Sequence, residues 1–143
     1  MGVSFLHIGL TVTDIGKTSD FYTKYLSFTK GRSRVFDEKF FSALPDLFRQ
    51  PEGVYSDMQT LISPDGVELE LFRFSNVENA GAAEFQKTGY SHIALRVDDV
   101  PALYEAMKAD GVEFFMPPLK NGDTGGHWIY LKDPDGNMLE LWD

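Results

Sequence analysis

Two histidines and two glutamates recur at matching places in the two halves of this chain, and their side chains could bind a metal ion. His7 and His92 each lie in a segment of alternating apolar and polar residues. Glu70 and Glu140 each lie in a Leu-Glu-Leu strand that follows a Pro-Asp-Gly turn. Imidazole nitrogen with carboxylate oxygen, without thiolate, suits a divalent ion that keeps positions for water or substrate. The repeated arrangement predicts a metal site with His7, Glu70, His92 and Glu140 as ligands.

The same residues also have a simpler interpretation. An isolated strand histidine is more often solvated or hydrogen-bonded than a ligand, and an isolated glutamate is more often plain surface. Glu68 shares a face with Glu70, so the two could form a charged surface stripe. Glu140 instead lies between Met138 and Trp142, an unusual environment for a charge without a role. The recurrence of all four residues favours the metal site.

Strand alternation directs the four side chains away from the expected core. Successive strand residues point to opposite faces, so Leu69 and Leu71 face inward while Glu70 faces outward. His92 alternates in the same way with Ile93. The other inward residues are expected to be Leu139 and Leu141 around Glu140, and Leu6, Ile8, Leu10 and Val12 around His7.

The stretches between these residues predict one βαβββ unit that is used twice, and hence an α+β fold. In each half a half-buried strand is followed by a helix and then by three more strands, the last of which carries the glutamate. Polar residues suited to capping precede both helices. In the first half, strands are expected at 5–12, 31–36 and 55–62, a fourth strand ends at about 74, and a helix runs from a cap at Thr13 or Asp14 to Leu26. In the second half, strands are expected at 90–97, 112–116, 128–132 and 138–142, and a helix runs from a cap at Asp98 or Asp99 to Gly111.

Length and composition limit the classes of protein to which the chain can belong. With 143 residues and 43% hydrophobic content, we expect one domain over residues 1–143, with a first module at 1–74, a linker at 75–88 and a second module at 89–143. The 22 acidic and 13 basic residues give a net charge of −9, which opposes binding to nucleic acid or to an anionic membrane surface. Because cysteine is absent, disulfides and thiolate ligands are excluded.

The sequence also lacks the patterns that direct a protein to export or into a membrane. The amino terminus lacks the basic residues and apolar run of a signal peptide. No stretch approaches the roughly 20 apolar residues that a membrane span needs. We therefore expect a soluble, cytoplasmic protein with a small-molecule substrate and no nucleic-acid or membrane partner.

The first half is longer than the second by 15 residues between its histidine and its glutamate. The extra residues are placed at 37–53, where apolar side chains recur at helical spacing despite Pro45. Such a segment either packs as a flap on the sheet or covers a site, and both alternatives remain open. The apolar residues concerned are Phe40, Phe41, Leu44, Leu47 and Phe48.

Three further residues share the faces of the expected ligands. Arg96 follows His92 by four residues, where a fixed cation would meet a substrate carboxylate or phosphate, or else form a salt bridge with a local acid. Phe72 and Trp142 follow the two glutamates and would either line an apolar wall or pack at the sheet edge. His127 has no counterpart in the first half and is expected at an edge or pocket rim.

The motifs His-Ile-Gly-Leu at 7–10 and His-Ile-Ala-Leu at 92–95, each followed downstream by Pro-Asp-Gly and Leu-Glu-Leu, resemble the vicinal oxygen chelate superfamily, which includes glyoxalase I. The resemblance covers nearly the whole chain. It implies two βαβββ modules that form a curved, mostly antiparallel eight-stranded sheet around a central pocket with a divalent metal, within one chain or across a homodimer. The ligand order His, Glu, His, Glu is most similar to that of glyoxalase I, and it matches His7, Glu70, His92 and Glu140.

The sequence departs from glyoxalase I at two substrate positions. Where glyoxalase I has an arginine four residues beyond its first histidine to hold the glutathione carboxylate, this chain has Thr11. Where asparagine is usual four residues beyond the first glutamate, it has Phe74. Arg96 occupies the mirror position in the second half. These departures argue against glutathione as the substrate thiol, and Thr11, Arg96, Phe72 and Trp142 are the expected substrate contacts.

The resemblance implies a metal-dependent lyase or isomerase that abstracts a proton next to the carbonyl of a small oxo substrate or its thiol adduct. Glu140 is expected to be the base, and Glu70 to be both a ligand and the second catalytic carboxylate. Nickel or zinc is the expected ion, with cobalt, manganese and iron as alternatives. Two other functions remain open: a ligand-sequestering protein of the bleomycin-resistance kind and an Fe(II) extradiol-type dioxygenase.

Overall fold

The first half of the chain folds into a four-stranded sheet with one long helix against it. The computed structural model describes residues 2–143, and the first of its two compact units ends at Asn79. The elements of this unit are β1 (His7–Thr11), α1 (Ile15–Leu26), β2 (Thr29–Phe36), α2 (Glu38–Ser42), α3 (Pro45–Phe48), β3 (Ser56–Ile62) and β4 (Glu68–Phe74). The strands lie in the order β1-β4-β3-β2, with β1 parallel to β4 and the other pairs antiparallel.

Helix α1 packs on the face of the sheet that carries the leucines. The Asp14 side chain caps α1 by accepting a hydrogen bond from the backbone N–H of Lys17 at 3.0 Å, as the sequence predicted. Leu69 and Leu71 of β4 are buried together with Tyr22 of α1. The glutamates of β4 lie on the other face, because side chains alternate along a strand. The expected alternation in this strand is confirmed.

Strand β1 begins later than predicted, and one residue expected in the core lies outside it. Leu6 precedes the strand and is 75% exposed. The reason is the length of the partner strand, since His7 pairs with Glu68 at the very start of β4 and earlier residues have no strand beside them. The prediction that Leu6 faces the core is therefore wrong, whereas Val12 is buried as expected.

The second half repeats the plan in a unit that spans Ala80–Asp143. Its elements are β5 (His92–Arg96), α4 (Val100–Ala109), β6 (Leu119–Lys120), β7 (His127–Lys132) and β8 (Met138–Trp142). The strands lie in the order β5-β8-β7-β6, with β5 parallel to β8 and the other pairs antiparallel. The Asp99 side chain caps α4 by accepting a hydrogen bond from the Ala102 backbone N–H at 2.8 Å.

The strand predicted at 112–116 is replaced by an isolated bridge and a shorter strand further on. Phe114 forms a single bridge with Leu131, and β6 begins only at Leu119. Pro117 and Pro118 lie between the two. Because proline has no backbone N–H to donate, it interrupts a strand ladder at this point. The predicted boundaries of this strand are wrong for that reason.

The extra residues of the first half form the two short helices α2 and α3. Phe41 is buried and its ring lies 4.9 Å from that of Phe48 and 5.3 Å from that of Phe74. Phe74 shares the glutamate face of β4 by alternation. The segment therefore packs on the sheet as a flap, on the same face as Glu70 and along the strand from it. Pro45 begins the second short helix, a position in which its missing N–H has no helical partner to lose.

The α+β prediction from two βαβββ units is confirmed. The strands belong to two separate four-stranded sheets, each with one parallel pair. The assignment of a single domain with a linker at 75–88 stays a prediction. No helix in the part of the chain that the structure describes is long and apolar enough to cross a membrane.

The two Pro-Asp-Gly turns are closed by different side chains. In the second copy the buried Asp133 accepts hydrogen bonds from the backbone N–H groups of Asp135 and Asn137 and from the Asn137 side chain, each at 2.9 Å. In the first copy Ser63 takes this place and accepts from the Val67 N–H at 2.8 Å. The turn glycines have φ of 92° and 85°, values that glycine adopts without strain.

We expect the substitution Asp133→Ala to destabilise the protein by about 2 kcal/mol, because it leaves buried donors without an acceptor. The change at the equivalent position of the first turn, Ser63→Ala, removes an acceptor from one backbone N–H and should cost only about 1 kcal/mol. Urea unfolding of both variants measures the difference. Equal losses of stability would show that the Asp133 hydrogen bonds do not hold the second turn.

Candidate metal centre

In the first unit, the parallel pairing of β1 and β4 brings His7 to Glu70. His7 Nε2 lies 3.4 Å from Glu70 Oε2. The Glu70 side chain is only 15% exposed and that of His7 is 41% exposed, so the pair is open to solvent from the histidine side. Gly9 is the register partner of Glu70, and a Cβ added at Gly9 would meet no described atom within 4 Å. The space beside this carboxylate is therefore open.

Arg32 on β2 holds the other oxygen of Glu70. The Arg32 guanidinium lies 3.2 Å from Glu70 Oε1 and 3.4 Å from Glu68 Oε2. Its side chain is largely exposed, so each of these ion pairs contributes little to stability. Their importance is geometric, because Arg32 turns one Glu70 oxygen away and leaves the second facing His7. The arginine also compensates the charge of the Glu68 and Glu70 stripe that the sequence suggested.

An irregularity in β2 explains why the sequence did not reveal Arg32. The register of β2 with β3 shifts between Lys30 and Ser33. Within this bulge, the Arg32 N–H donates to Thr60 Oγ1 at 2.9 Å, and a Cβ added at Gly31 would come within 2.4 Å of that oxygen. Glycine is required by this close approach. Simple alternation fails across a bulge, so it could not place Arg32 beside Glu70.

In the second unit, His92 and Glu140 form an equivalent pair. His92 Nε2 lies 3.3 Å from Glu140 Oε2, and the Glu140 side chain is only 11% exposed. The other ring nitrogen, His92 Nδ1, lies 2.8 Å from the hydroxyl of Ser91. A partner on one nitrogen orients the ring and leaves Nε2 facing the carboxylate, as is common for histidines that bind metals.

Tyr130 is a further member of the second pair that the sequence did not reveal. It is the register partner of Glu140, and its hydroxyl lies 3.3 Å from His92 Nε2. Burial raises the pKa of the Tyr130 hydroxyl above the usual tyrosine range, and the charge of Glu140 and a hydrogen bond with it raise this pKa further. Phe85 packs against the rings of both His92 and Tyr130. The two pairs therefore differ, with a cation beside Glu70 and a phenol beside Glu140.

The residues present fit a divalent ion, although the structure holds them as pairs. Two ligand atoms at about 2.1 Å from a common ion are separated by roughly 3.0–3.4 Å, and both histidine–glutamate pairs fall close to this range. Their nitrogen and oxygen donors suit zinc, nickel, cobalt, manganese or iron. Within residues 2–143, no group of three or more His, Asp or Glu side chains is already arranged to hold an ion.

The expected substrate contacts lie beyond the two glutamates. Thr11 is exposed at the end of β1, in register with Phe72. The ring of Phe72 lies 6.0 Å from that of Phe36 and 6.3 Å from that of Phe74. Phe72 thus joins an aromatic surface rather than standing alone. This surface comprises Phe36, Phe40, Phe41, Phe48, Phe72 and Phe74.

In the second unit, Trp142 stacks on Trp128, with ring centroids 6.0 Å apart and planes 18° from parallel. Arg96 is exposed, in register with Trp142. His127 begins β7 and its Nδ1 lies 3.5 Å from Asp143 Oδ2, away from the histidine–glutamate pair of this unit. Its edge position agrees with the expectation.

The fold and these pairs define an α+β protein whose repeated βαβββ units each join an imidazole to a carboxylate. The chain belongs to the Glyoxalase/Bleomycin resistance protein/Dioxygenase superfamily, whose family model matches residues 4–141. The resemblance inferred from the motifs is confirmed by this match.

A relative supports the same assignment, and solved structures share the fold. A probable lactoylglutathione lyase of Vibrio cholerae serotype O1 is 34% identical over 140 residues, which cover 95% of this chain and 87% of that protein. A glyoxalase family protein from Bacillus cereus has a TM-score of 0.81 at 13% identity, with 99% and 94% of the two chains covered. The fosfomycin resistance protein FosX from Listeria monocytogenes has a TM-score of 0.66 at 23% identity, with 99% and 93% covered. At these identities, the two structures show the fold alone.

The ionisation of Tyr130 tests the geometry of the second pair. We expect Tyr130 to ionise above the usual tyrosine pKa of about 10, because it is partly buried beside the Glu140 carboxylate. Replacing Glu140 with glutamine removes a negative charge, so it should lower the pKa of Tyr130 but leave the effect of burial. The measurement is the difference in ultraviolet absorbance between the protein and its Tyr130→Phe variant across alkaline pH. An unchanged titration in Glu140→Gln would contradict the contact between the two side chains.

Proposed function

We propose that this protein is a glyoxalase I-like, metal-dependent lyase or isomerase that moves a proton next to the carbonyl of a small oxo substrate or its thiol adduct. The observation that carries the proposal is the recurrence, in both units, of a histidine nitrogen facing a glutamate oxygen at 3.3–3.4 Å. The similarity to a probable lactoylglutathione lyase supports the reaction class.

The proposed ligands are His7, Glu70, His92 and Glu140, with nickel or zinc as the expected ion and cobalt, manganese or iron as alternatives. When bound, a divalent ion supplies Lewis acidity that stabilises negative charge developing on substrate oxygens. Each histidine presents Nε2 to the carboxylate of its own unit. The role of the protein is then to hold these donors and to move the proton.

We assign the base to Glu140 and a holding role to Glu70 because their neighbours differ. Arg32 contacts one Glu70 oxygen at 3.2 Å and the other oxygen faces His7, so both oxygens of this carboxylate are engaged. Among the described residues no lysine or arginine forms an ion pair with Glu140, which contacts His92. Glu140 can therefore take a proton from the carbon next to the carbonyl and return it to the neighbouring carbon. Glu70, through its second oxygen, keeps His7 in place.

The substrate thiol is proposed not to be glutathione. Thr11 offers no charge to a peptide carboxylate, and Phe74 packs its ring against Phe41 at 5.3 Å. An aromatic surface beside Glu70 favours an apolar group of the substrate at this place. Phe72 is proposed to line this side, and a homodimer remains a prediction from the family resemblance.

Metal binding is tested with paired substitutions. We expect His92→Ala and Glu70→Ala each to weaken zinc binding by about 100-fold or more, because each removes a donor atom. His127→Ala and Glu68→Ala are the matched controls, and both should bind zinc as the wild-type chain does. Calorimetric titration gives the affinities. Binding that survives in His92→Ala, or that falls equally in His127→Ala, would rule out the proposed ligand set.

The assignment of the base is tested with Glu140→Gln. Because the amide oxygen of glutamine is still a donor, zinc affinity should change by less than about tenfold, whereas turnover should fall by about 10²–10⁴, the usual contribution of a general base. Turnover is followed with methylglyoxal and several thiols, including glutathione. Unchanged turnover by Glu140→Gln would remove Glu140 from this role.

The same purified protein can be used to distinguish the proposed function from two alternatives. A chain that purifies without metal and takes up none would favour a ligand-sequestering protein of the bleomycin-resistance kind. Oxygen consumption with catechols in the presence of ferrous ion would favour an extradiol-type dioxygenase. Both are suggested by the description of the superfamily, which includes resistance proteins and dioxygenases.

A further inference from the structure

The two tryptophans of the chain stack on each other beside the proposed base. Trp128 and Trp142 are the only tryptophans in the sequence, and their rings lie 6.0 Å apart and nearly parallel. Both are half-buried, so part of each indole remains accessible. Ligand sites are lined mainly by apolar and aromatic side chains, and an indole offers a large flat surface to a bound group.

Strand register places this pair next to Glu140. Trp142 lies two residues beyond Glu140 on β8, and Trp128 and Tyr130 are their respective partners on β7. Two residues along a strand span about 7 Å and return to the same face. The indoles therefore lie on the same face of the sheet as the Glu140 carboxylate, two residues further along their strands. A molecule bound at Glu140 can reach them with a second chemical group.

Arg96 completes this surface with a charge that has no partner among the described residues. It is the register partner of Trp142 on β5 and is exposed. Within residues 2–143, its guanidinium makes neither an ion pair nor a hydrogen bond. The salt bridge to a local acid, which the sequence allowed, is not formed.

Two acids that are close to this surface along the chain are engaged elsewhere. Asp143 accepts hydrogen bonds from the N–H groups of Val100 and His127 at 2.8 and 2.7 Å, and these bonds lower the pKa of its carboxyl. Asp99 caps α4 through the Ala102 N–H. Neither carboxylate is therefore available to neutralise Arg96. Because salt screens charges beyond about 8 Å, the net charge of −9 does not cancel this local cation.

We propose that Arg96, Trp142 and Trp128 form a subsite for a planar ring that carries an anionic substituent, such as a carboxylate, on the substrate whose reacting carbon lies at Glu140. This inference rests on the proposed function and specifies its substrate class. The indoles bind the ring, and the guanidinium fork binds the carboxylate through two parallel N–H donors.

The subsite can be tested by binding, without turnover, because both tryptophans of the protein lie in it. The probes are acetohydroxamate, benzohydroxamate and 4-carboxybenzohydroxamate, which present the same pair of oxygens to zinc and differ by the ring and the carboxylate. Quenching of tryptophan fluorescence in the zinc-loaded protein reports their affinities. We expect the ring to strengthen binding by about tenfold and the carboxylate by about tenfold more.

Arg96→Gln should abolish the gain from the carboxylate and leave benzohydroxamate within about twofold of its wild-type affinity. Arg49→Gln removes another exposed arginine, in the first unit. This control should change neither the gain from the carboxylate nor the affinity for benzohydroxamate. Trp142→Leu should abolish the gain from the ring, with Trp128 as the remaining fluorophore, and Trp142→Phe should recover part of it. Unfolding midpoints of all variants establish that they are folded.

Two results would overturn the subsite. One is equal affinity of the three probes for the wild-type protein. The other is an equal loss for the carboxylated and uncarboxylated rings in Arg96→Gln. In both cases acetohydroxamate still binds the zinc-loaded chain and the proposed function stands. Failure of the chain to bind zinc at all is a failure of the proposed function, and the calorimetric titration detects it independently.

Discussion

In each unit, everything at the site depends on the parallel pairing of the histidine strand with the glutamate strand. The pairing of β1 with β4 and of β5 with β8 brings an imidazole nitrogen to within 3.4 Å or less of a carboxylate oxygen. Parallel neighbours need a long crossover between them, and here the helix and the two middle strands supply it. The leucines on the opposite face bury the sheet against its helix and so keep the register from slipping, because a shift of one residue would expose them.

The two copies of this arrangement have diverged around a common frame. Arg32 occupies one Glu70 oxygen in the first unit, and Tyr130 approaches His92 in the second. The Glu70 carboxylate is therefore engaged through both oxygens, by Arg32 and by His7, whereas no lysine or arginine among the described residues forms an ion pair with Glu140.

Aromatic residues extend the same contrast along the strands. Beyond Glu70 the surface is built of phenylalanines, which the flap of α2 and α3 covers in part through Phe41. Beyond Glu140 it is built of two stacked indoles next to the exposed Arg96. The first surface is purely apolar, whereas the second combines a flat ring surface with a charge.

Much of the fold followed from local patterns. Some features depend only on neighbouring residues and can therefore be predicted from the sequence. They are the caps at Asp14 and Asp99, the alternation around Glu70 and the repeated βαβββ order. Features that depend on partners far along the chain were missed. The two prolines shifted β6 because they removed ladder donors, and Leu6 was left outside the core because β4 starts opposite His7.

By itself, the sequence determined which residue types stand at the site and which face of each strand they occupy, because side-chain direction in a strand depends only on position. The tertiary structure alone decided which side chains meet. Arg32 reaches Glu70 through a bulge, and Tyr130 reaches His92 across two strand pairings. Both contacts depend on register between segments roughly 40 residues apart in the chain, and register is set by the packing of the whole sheet.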